Sequence, residues 1–361
     1  MGKLLRYILL GCNVIAALLL LFSAYSPLLN PRTYSIGSCA GLFFPLFLLV
    51  NLIFILFWFF VYRRYVLFTL VVLLACWSSI QIYFPINLSE KELPEEAIKI
   101  LSYNTRAFGD KKVHTKENPN AVLKYLQDSD ADIICLQEYI YGGKLQKKDV
   151  DYALRNYQYK HYHSIGKGLN GLGCYSRYPI LSAKPIQYES QRNGSIAYYI
   201  KVREDTLVVI NNHLESNKIL ESDVEVYHQM VDTPNSENVS SGLRILLKKM
   251  AQAMIIRSQQ TDRLTKTLKE QKGKKILLCG DLNDTPISYT HHQLHQELKD
   301  AFVESGNGMG ISYNKNRLYF RIDHIFFSEN LSVYQCKVDP TIIASDHYPI
   351  SCYVSLKKEA K

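Results

Sequence analysis

Six stretches of the sequence place acids, amides or imidazoles where an apolar run ends. The clearest is Leu-Leu-Cys-Gly-Asp-Leu-Asn-Asp, in which Asp281 and Asn283 follow a short apolar run. The run predicts a buried strand, and Gly280 breaks it. The two polar residues are therefore expected at the strand end, where α/β sheets usually place their chemistry. The other five positions are Asn104, Glu138, His213, Asp323 and the pair Asp346-His347.

Each of these residues has an ordinary structural interpretation when it is taken alone. A strand-end Asn or Asp is usually a turn former or a helix cap, and a single His after a strand is more often structural than catalytic. Together the set supplies what hydrolysis of a phosphate ester requires. A divalent metal must neutralise the phosphate, and Mg²⁺ prefers one or two carboxylates with waters. Glu138, with Asp346 and Asn104 nearby, suits that need.

The same set supplies the proton-transfer and charge-stabilising groups. Asp281 or a His–Asp pair can orient or deprotonate water. Neutral and cationic donors must meet the charge that develops on phosphorus, and Asn283, His213 and His347 are such donors. A carboxylate such as Asp323 behind His347 would fix its tautomer and raise its basicity.

The strands and helices around these residues must bring them together. Residues 98–103 and 132–137 read as apolar strands, and Asn118-Pro119 predicts the start of a helix between them that ends near residue 127. Later segments predict hairpins at 196–211 and at 318–338, and an amphipathic helix over 243–269. The pattern predicts an α/β (α+β) fold with mixed sheets covered by helices.

The ordered series Ser-Tyr-Asn, Leu-Gln-Glu, Ser-Arg-Tyr-Pro-Ile, Asn-His-Leu, Gly-Asp-Leu-Asn, Arg-Ile-Asp-His and Ser-Asp-His-Tyr-Pro resembles the endonuclease/exonuclease/phosphatase superfamily. The resemblance runs from about residue 99 to residue 356. It implies the DNase I-like four-layer sandwich, in which two packed mixed β-sheets are flanked by helices.

The resemblance also implies roles for individual residues and a cofactor. It makes Mg²⁺ the expected ion, with Mn²⁺ as the alternative. The implied metal-site residues are Glu138, Asn104 and Asp346. The implied catalytic residues are the water-positioning Asp281, the phosphate contacts Asn283 and His213, the catalytic His347 and its supporting Asp323. Arg106 and Arg177 are each equally well explained as phosphate contacts and as surface residues.

The first 89 residues differ sharply from the rest, because they contain no Asp or Glu. Three uncharged stretches, 7–31, 37–62 and 65–89, are each long enough to cross a bilayer. The alternative is a signal peptide followed by a buried helical domain. We therefore predict a membrane domain with three transmembrane helices over 1–89, a linker over 90–98 and a catalytic domain over 99–361. Because Lys3, Arg6, Arg63 and Arg64 mark the cytoplasmic side, the catalytic domain is expected outside the cytoplasm, on the periplasmic side of a bacterial cell membrane.

These observations lead to one functional hypothesis and two alternatives. We expect a membrane-anchored, divalent-metal-dependent phosphoesterase that acts on a nucleic acid or on a lipid or soluble phosphoester. A lipid or inositol phosphate phosphoesterase of the same fold is one alternative, and a non-catalytic membrane-tethered binding module is the other. The formal charge of the chain is +9, of which about +4 remains beyond residue 89, too little for a concentrated nucleic-acid surface. The expected partners are the substrate and the bilayer, and the sequence indicates no protein partner.

Overall fold

The computed structural model describes residues 2–89, 91–111, 114–115, 117–142, 145–168, 170–188, 190–218, 221–315 and 317–356. The helices are α1 Lys3–Tyr25, α2 Phe44–Val61, α3 Val66–Ala75, α4 Trp77–Tyr83, α5 Arg106–Lys111, α6 Ala121–Asp128, α7 Lys147–Ala153, α8 Glu221–Asp232, α9 Ser236–Glu270, α10 Tyr289–His295 and α11 Ala301–Ser305. The strands are β1 Ile98–Asn104, β2 Ile133–Gln137, β3 Tyr159–Ile165, β4 Asn170–Ser176, β5 Ile180–Ile186, β6 Gly194–Val202, β7 Asp205–His213, β8 Lys275–Asp281, β9 Lys299–Asp300, β10 Tyr313–Lys315, β11 Leu318–Phe320, β12 Asp323–Phe327, β13 Ser332–Val338 and β14 Ile350–Ser355. Chain contacts divide these elements into two compact units. One contains residues 1–84, 217–258 and 285–292, and the other contains 85–216, 259–284 and 293–361.

The second unit is built on two six-stranded mixed sheets. The first sheet has the order β13-β14-β1-β2-β4-β3, and the second has the order β5-β6-β7-β8-β12-β9. Each contains one parallel pair at its centre, β1 with β2 and β7 with β8, among antiparallel neighbours. The carboxyl ends of two central strands therefore meet at the same edge of each sheet.

The apolar patterning explains the layering. Side chains from the facing surfaces of both sheets form one buried core, for example Ile100 with Ile133 from the first sheet and Val209 with Leu277 from the second. The outer face of the first sheet is covered by apolar residues of α6 and α7, and that of the second by the C-terminal half of α9. The four-layer sandwich is confirmed.

One predicted hairpin is confirmed and another is wrong. Strands β6 and β7 pair as an antiparallel hairpin, with Arg203 at a φ of 55° in the turn. The predicted hairpin over 318–338 does not form. Its first part is divided between β11, which pairs with β10 in a separate two-stranded sheet, and β12, which joins the second six-stranded sheet, whereas β13 lies in the first. Apolar alternation marks a strand but does not select its partner.

The first unit contains the apolar helices. Two helical segments, Lys3–Leu28 and Gly37–Val61, are long and apolar enough to cross a membrane. The third stretch is a helix pair, Arg63–Ala75 and Trp77–Tyr83, bent by 65°. It counts as a third candidate span only if the bent pair acts as one element. Outward-facing side chains are apolar, as in Phe60, which is 77% exposed.

Polar contacts fix the directions of these helices. The Asn13 Oδ1 atom accepts hydrogen bonds from Trp58 Nε1 at 2.9 Å and from Thr69 Oγ1 at 3.1 Å, which joins α1 to both α2 and α3. Near the end of α1, the Tyr25 hydroxyl donates to the carbonyl of Ala75 at 2.8 Å. The C-terminal ends of α1 and α3 are thus adjacent, so these two helices run in the same direction.

The first unit also contains the N-terminal part of α9. Residues of α9, including Met254, pack on the segment that joins α1 to α2. The Cys39 Sγ atom lies 3.5 Å from Met254 Sδ, and Ser38 Oγ lies 3.6 Å from it. Gly41 lies directly against the backbone of Ile287, where a Cβ would be 1.8 Å from the carbonyl oxygen. A side chain at position 41 would therefore separate these segments.

Candidate active site

Polar residues at the strand ends of both sheets lie together at one end of the sandwich. Asn104 ends β1 and Glu138 directly follows β2, while His213 and Asp281 end the parallel strands β7 and β8. His213 and Asp281 are paired in register, and Asp281 is also paired with Asp323 at the start of the antiparallel strand β12. The topology thus explains why residues far apart in sequence share one end of the sandwich.

Asp281 Oδ2 lies at the centre of the site. The Nδ2 atoms of Asn104 and Asn283 donate to it at 2.9 Å and 3.2 Å. The Nε2 atoms of His213 and His347 each lie 3.7 Å from the same oxygen. Burial raises the pKa of Asp281, whereas the His347 charge lowers it. One carboxylate oxygen therefore links residues from both sheets.

His347 and Asp323 form a buried pair. The Nδ1 atom of His347 lies 2.7 Å from Oδ2 of Asp323, and both side chains are almost fully buried. Burial alone would lower the pKa of His347, but the carboxylates of Asp323 and Asp281 raise it to about 10. With Nδ1–H donated to Asp323, the Nε2–H of a protonated His347 points toward Asp281. This arrangement provides a cationic donor at the centre of the site.

His213 is a neutral donor whose tautomer is determined by Asn170. The Asn170 Oδ1 atom accepts from the Gly171 N–H at 2.7 Å, and its Nδ2 donates to the Arg192 carbonyl at 2.8 Å. Because Nδ2 also lies 3.2 Å from His213 Nδ1, that ring nitrogen must be the acceptor. Burial lowers the pKa of His213, so the neutral ring carries its hydrogen on Nε2. This Nε2 atom has no hydrogen-bond partner among the described residues.

The predicted metal ligands provide an oxygen-only donor set in which the two carboxylates remain accessible. The Glu138 side chain is 34% exposed and that of Asp346 is 16% exposed. Partial burial raises the pKa of Glu138, and a hydrogen bond from Asn104 opposes this shift. Asn104 Oδ1 accepts the Arg106 N–H at 3.1 Å, and a carbonyl oxygen retains a second lone pair for a cation. Carboxylates and an amide oxygen fit Mg²⁺ or Mn²⁺.

A second group of potential ligand atoms is better explained without a metal. Atoms of Asp281, Asp323 and His347 all lie within 4.8 Å of one another. His347 and Asp323 already form a hydrogen-bonded ion pair through the short contact between Nδ1 and Oδ2. Glu138, which is more accessible and lies beside Asn104, is the better anchor for a cation.

Asn283 is held inside the protein. Its Nδ2 atom donates to Asp281 and, at 3.0 Å, to the carbonyl of Leu214, while its backbone N–H donates to Asp281 Oδ1 at 2.8 Å. A phosphate contact through Nδ2 therefore requires it to exchange one of these acceptors. Asn283 and Glu138 both have positive φ angles, 52° and 46°. Such conformations are uncommon outside glycine and persist where surrounding contacts determine them.

Three residues that contribute to the site have no role in the sequence-based set. Asn170 is the first residue of β4, and no motif in the sequence indicates that it has a role in the site. Ser345 Oγ donates to the Asn104 carbonyl at 2.9 Å and accepts the His347 N–H at 3.2 Å, so it ties the last motif to β1. Its place in Ser-Asp-His could have indicated this. The Tyr313 ring packs edge-on against His347 at 5.2 Å between centroids.

Comparisons with known proteins agree with this architecture. Residues 101–347 match the family described as "Endonuclease/Exonuclease/phosphatase family", and residues 6–83 match a domain of unknown function. An exodeoxyribonuclease of Bacillus subtilis is 25% identical over 293 residues, covering 72% of this chain and all of that protein. The human Nocturnin catalytic domain superposes with a TM-score of 0.52 and 16% identity, covering 74% of this chain and 96% of that one. A humanized D. rerio TDP2 superposes with a TM-score of 0.50 and 14% identity, covering 72% of this chain and all of that one.

Proposed function

The chain belongs to the endonuclease/exonuclease/phosphatase family, and from this premise we propose that it is a membrane-anchored, divalent-metal-dependent phosphodiesterase. The observation that carries the proposal is the convergence of two imidazoles and two amides on Asp281 Oδ2. A binding module would not need a buried carboxylate surrounded in this way. The similarity to an exodeoxyribonuclease favours a nucleic acid as the substrate.

The residues of the chain divide the chemistry among them. Glu138, Asn104 and Asp346 would hold the metal, which when bound would neutralise charge on the phosphate. The His213 Nε2–H, which has no partner among the described residues, donates to a non-bridging phosphate oxygen. Asp281 orients the attacking water and accepts its proton. His347 donates through Nε2 to the charge that develops at phosphorus or at the leaving oxygen, while Asp323 keeps Nδ1 protonated.

Membrane anchoring through three spans is part of the proposal. The segment between α1 and α2 contacts α9, which lies between His213 and Asp281 in sequence. If only α1 and α2 crossed the bilayer, that segment and the later chain would emerge on opposite sides. The parallel direction of α1 and α3 likewise supports a crossing by the bent pair. With basic residues marking the cytoplasmic side, the catalytic residues would then lie outside the cytoplasm.

An assay of the purified full-length chain in detergent tests this function. Bis-p-nitrophenyl phosphate, single-stranded and plasmid DNA, sphingomyelin and inositol phosphates would be offered with Mg²⁺, with Mn²⁺ and with a chelator. We expect metal-dependent hydrolysis, and a loss of about 100-fold or more in Glu138→Gln and in His347→Ala. Asp128→Asn on α6 serves as a matched control, because Asp128 is exposed in an ion pair with Lys124.

The outcomes distinguish the alternatives. Hydrolysis of sphingomyelin or inositol phosphates in preference to DNA would identify a lipid or inositol phosphate phosphoesterase of the same fold. Absence of hydrolysis with every substrate and metal would favour the non-catalytic binding module. Equal activity in wild type and both variants would refute the assigned site.

A further inference from the structure

A groove runs between α2 and the bent pair of α3 and α4. It has a volume of about 380 Å³ and is lined by aliphatic and aromatic side chains of all three helices, among them Leu48 and Leu52 of α2, Leu73 of α3, and Trp77 and Ile80 of α4. Leu48 is 6% exposed, whereas Leu52 and Trp77 are 45% and 54% exposed. The groove is therefore closed at its base and open along one side.

The bend between α3 and α4 places this groove near a membrane surface. The ten residues of α3 rise about 15 Å, which is half of the roughly 30 Å hydrocarbon core of a bilayer. Because α4 departs from the direction of α3 by 65°, it lies closer to the membrane plane than to the normal in a membrane that α3 crosses. Ser78 and Gln81 of α4 are exposed, and the Ser79 hydroxyl donates to the Ala24 carbonyl at 3.2 Å. Polar residues thus occupy one side of α4 and the groove lies on the other, as in an interfacial helix.

The size and the chemistry of the groove together favour one kind of occupant. A trapped water needs about two to four polar partners, and of the lining side chains only Trp77 carries a hydrogen-bonding group. A helix of a second copy is about 10 Å wide and occupies about 420 Å³ per turn, so the groove holds less than one turn of it. An acyl chain is narrow, unbranched and apolar, and it enters from the open side without losing a hydrogen bond.

We propose that the groove binds an acyl chain of a phospholipid from the leaflet in which α1 ends and α2 begins. The inference rests on the proposed function, since membrane anchoring is part of it. The acyl chain fills the space beside Leu48 and Leu73, and an unfilled apolar cavity there would be destabilising. The head group lies at the level of α4, where Trp77 and Gln81 meet the membrane–water interface. The bound lipid thereby packs the bent pair against α2.

Phosphatidylcholine with a photoreactive diazirine in one acyl chain tests the site. It is added in equimolar amount to delipidated full-length protein in detergent, and the labelled positions are mapped by mass spectrometry of peptides. The label should concentrate on Leu48, Leu73 and Ile80 rather than on Leu56 and Phe60, which are 61% and 77% exposed on α2 outside the groove. Unlabelled phosphatidylcholine should compete for the site, whereas glycerophosphocholine, which has the same head group and no acyl chain, should not.

Two tryptophan variants separate the groove from the general lipid-facing surface. Ile80→Trp fills the groove, and Leu56→Trp adds the same side chain outside it. Ile80→Trp should label about tenfold less than wild type at limiting lipid, equivalent to roughly 1.4 kcal/mol of binding free energy, whereas Leu56→Trp should label like wild type. Equal thermal melts in detergent and equal hydrolysis of bis-p-nitrophenyl phosphate would show that Ile80→Trp is folded.

The outcomes keep this inference separate from the proposed function. Label on Leu56 and Phe60 as strong as in the groove, or unchanged labelling of Ile80→Trp, would show annular lipid only and overturn the site. A dimer of wild type in detergent that becomes a monomer in Ile80→Trp would make the groove an interface between copies and would also overturn it. Release of wild type from membranes by alkaline carbonate would refute the anchoring and the lipid site together. Groove-specific labelling of a wild type that hydrolyses no substrate would support the lipid site and refute only the phosphodiesterase activity.

Discussion

Replacing Asp323 by Asn should make the activity of the enzyme depend on pH in a defined way. The substitution keeps the shape of the side chain and removes one negative charge 2.7 Å from His347 Nδ1. The pKa of His347 is raised to about 10 because the Asp323 and Asp281 carboxylates outweigh the effect of burial. Without Asp323, that pKa should fall toward its ordinary value of 6.5.

The expected loss follows from the protonated fraction of His347. In wild type the ring stays protonated up to about pH 9. In Asp323→Asn, with a pKa near 6.5, about one ring in a hundred is protonated at pH 8.5 and about one in two at pH 6.5. If protonated His347 is the donor, kcat should drop about 100-fold at pH 8.5 and only several-fold at pH 6.5.

A pH series of kcat with bis-p-nitrophenyl phosphate measures this effect. Asp339→Asn is the matched control, because Asp339 also accepts a hydrogen bond, from the Tyr125 hydroxyl at 3.0 Å, but belongs to the turn after β13. His347→Ala should be impaired at every pH, without recovery under acidic conditions. A loss in Asp323→Asn that is the same at pH 6.5 and pH 8.5 would refute the reasoning, since it would show that Asp323 acts without setting the charge of His347.

Three further predictions concern the metal, the second imidazole and the anchor. Glu138→Gln should raise the half-saturating Mg²⁺ concentration about tenfold or more in a metal titration of activity, because it removes one of two nearby carboxylate charges; an unchanged titration curve would exclude Glu138 as a ligand. Asn170→Leu should lower kcat about 100-fold, as expected when the Nε2–H donor of His213 is lost, and a thermal melt close to that of wild type would separate this effect from unfolding. A reporter that is active only outside the cytoplasm should work when fused after residue 356 and fail when fused after Arg64; the reverse pattern would contradict three spans with a cytoplasmic N-terminus.

Much of the fold could be predicted because local pattern and strand order agree. The strand–helix–strand unit at 98–137 became β1, α6 and β2, with β1 and β2 paired in parallel. The pattern failed where partner choice depends on distant contacts, as in the division of 318–327 between β11 and β12. It also missed β3, an edge strand in which half-buried and exposed residues alternate and which lacks a continuous apolar run. Edge strands gain little from apolar burial, so their sequences carry a weaker signal.

The site residues could be named from the sequence, but their contacts could not. Asn283 was expected to touch the phosphate, and the structure shows its amide donating to Leu214 and Asp281. Asn170 has no pattern that separates it from a turn residue, yet its fixed amide determines the tautomer of His213. Such roles depend on which oxygen and nitrogen atoms meet, and spacing along the chain does not encode that information.

Two carboxylates that face each other explain why three motifs must occur together, namely Gly-Asp-Leu-Asn, Arg-Ile-Asp-His and Ser-Asp-His-Tyr-Pro. Asp281 and Asp323 face each other in register on β8 and β12, each about 1% exposed. Two buried negative charges at such close range are unfavourable unless a cation lies between them. His347 contacts both, through Nδ1 to Asp323 and through Nε2 toward Asp281. The raised pKa of His347 is thus the electrostatic consequence of the pairing of β8 with β12. The positive charge of His347 stabilises the two buried carboxylates, and it is the same charge that we assign to the reaction.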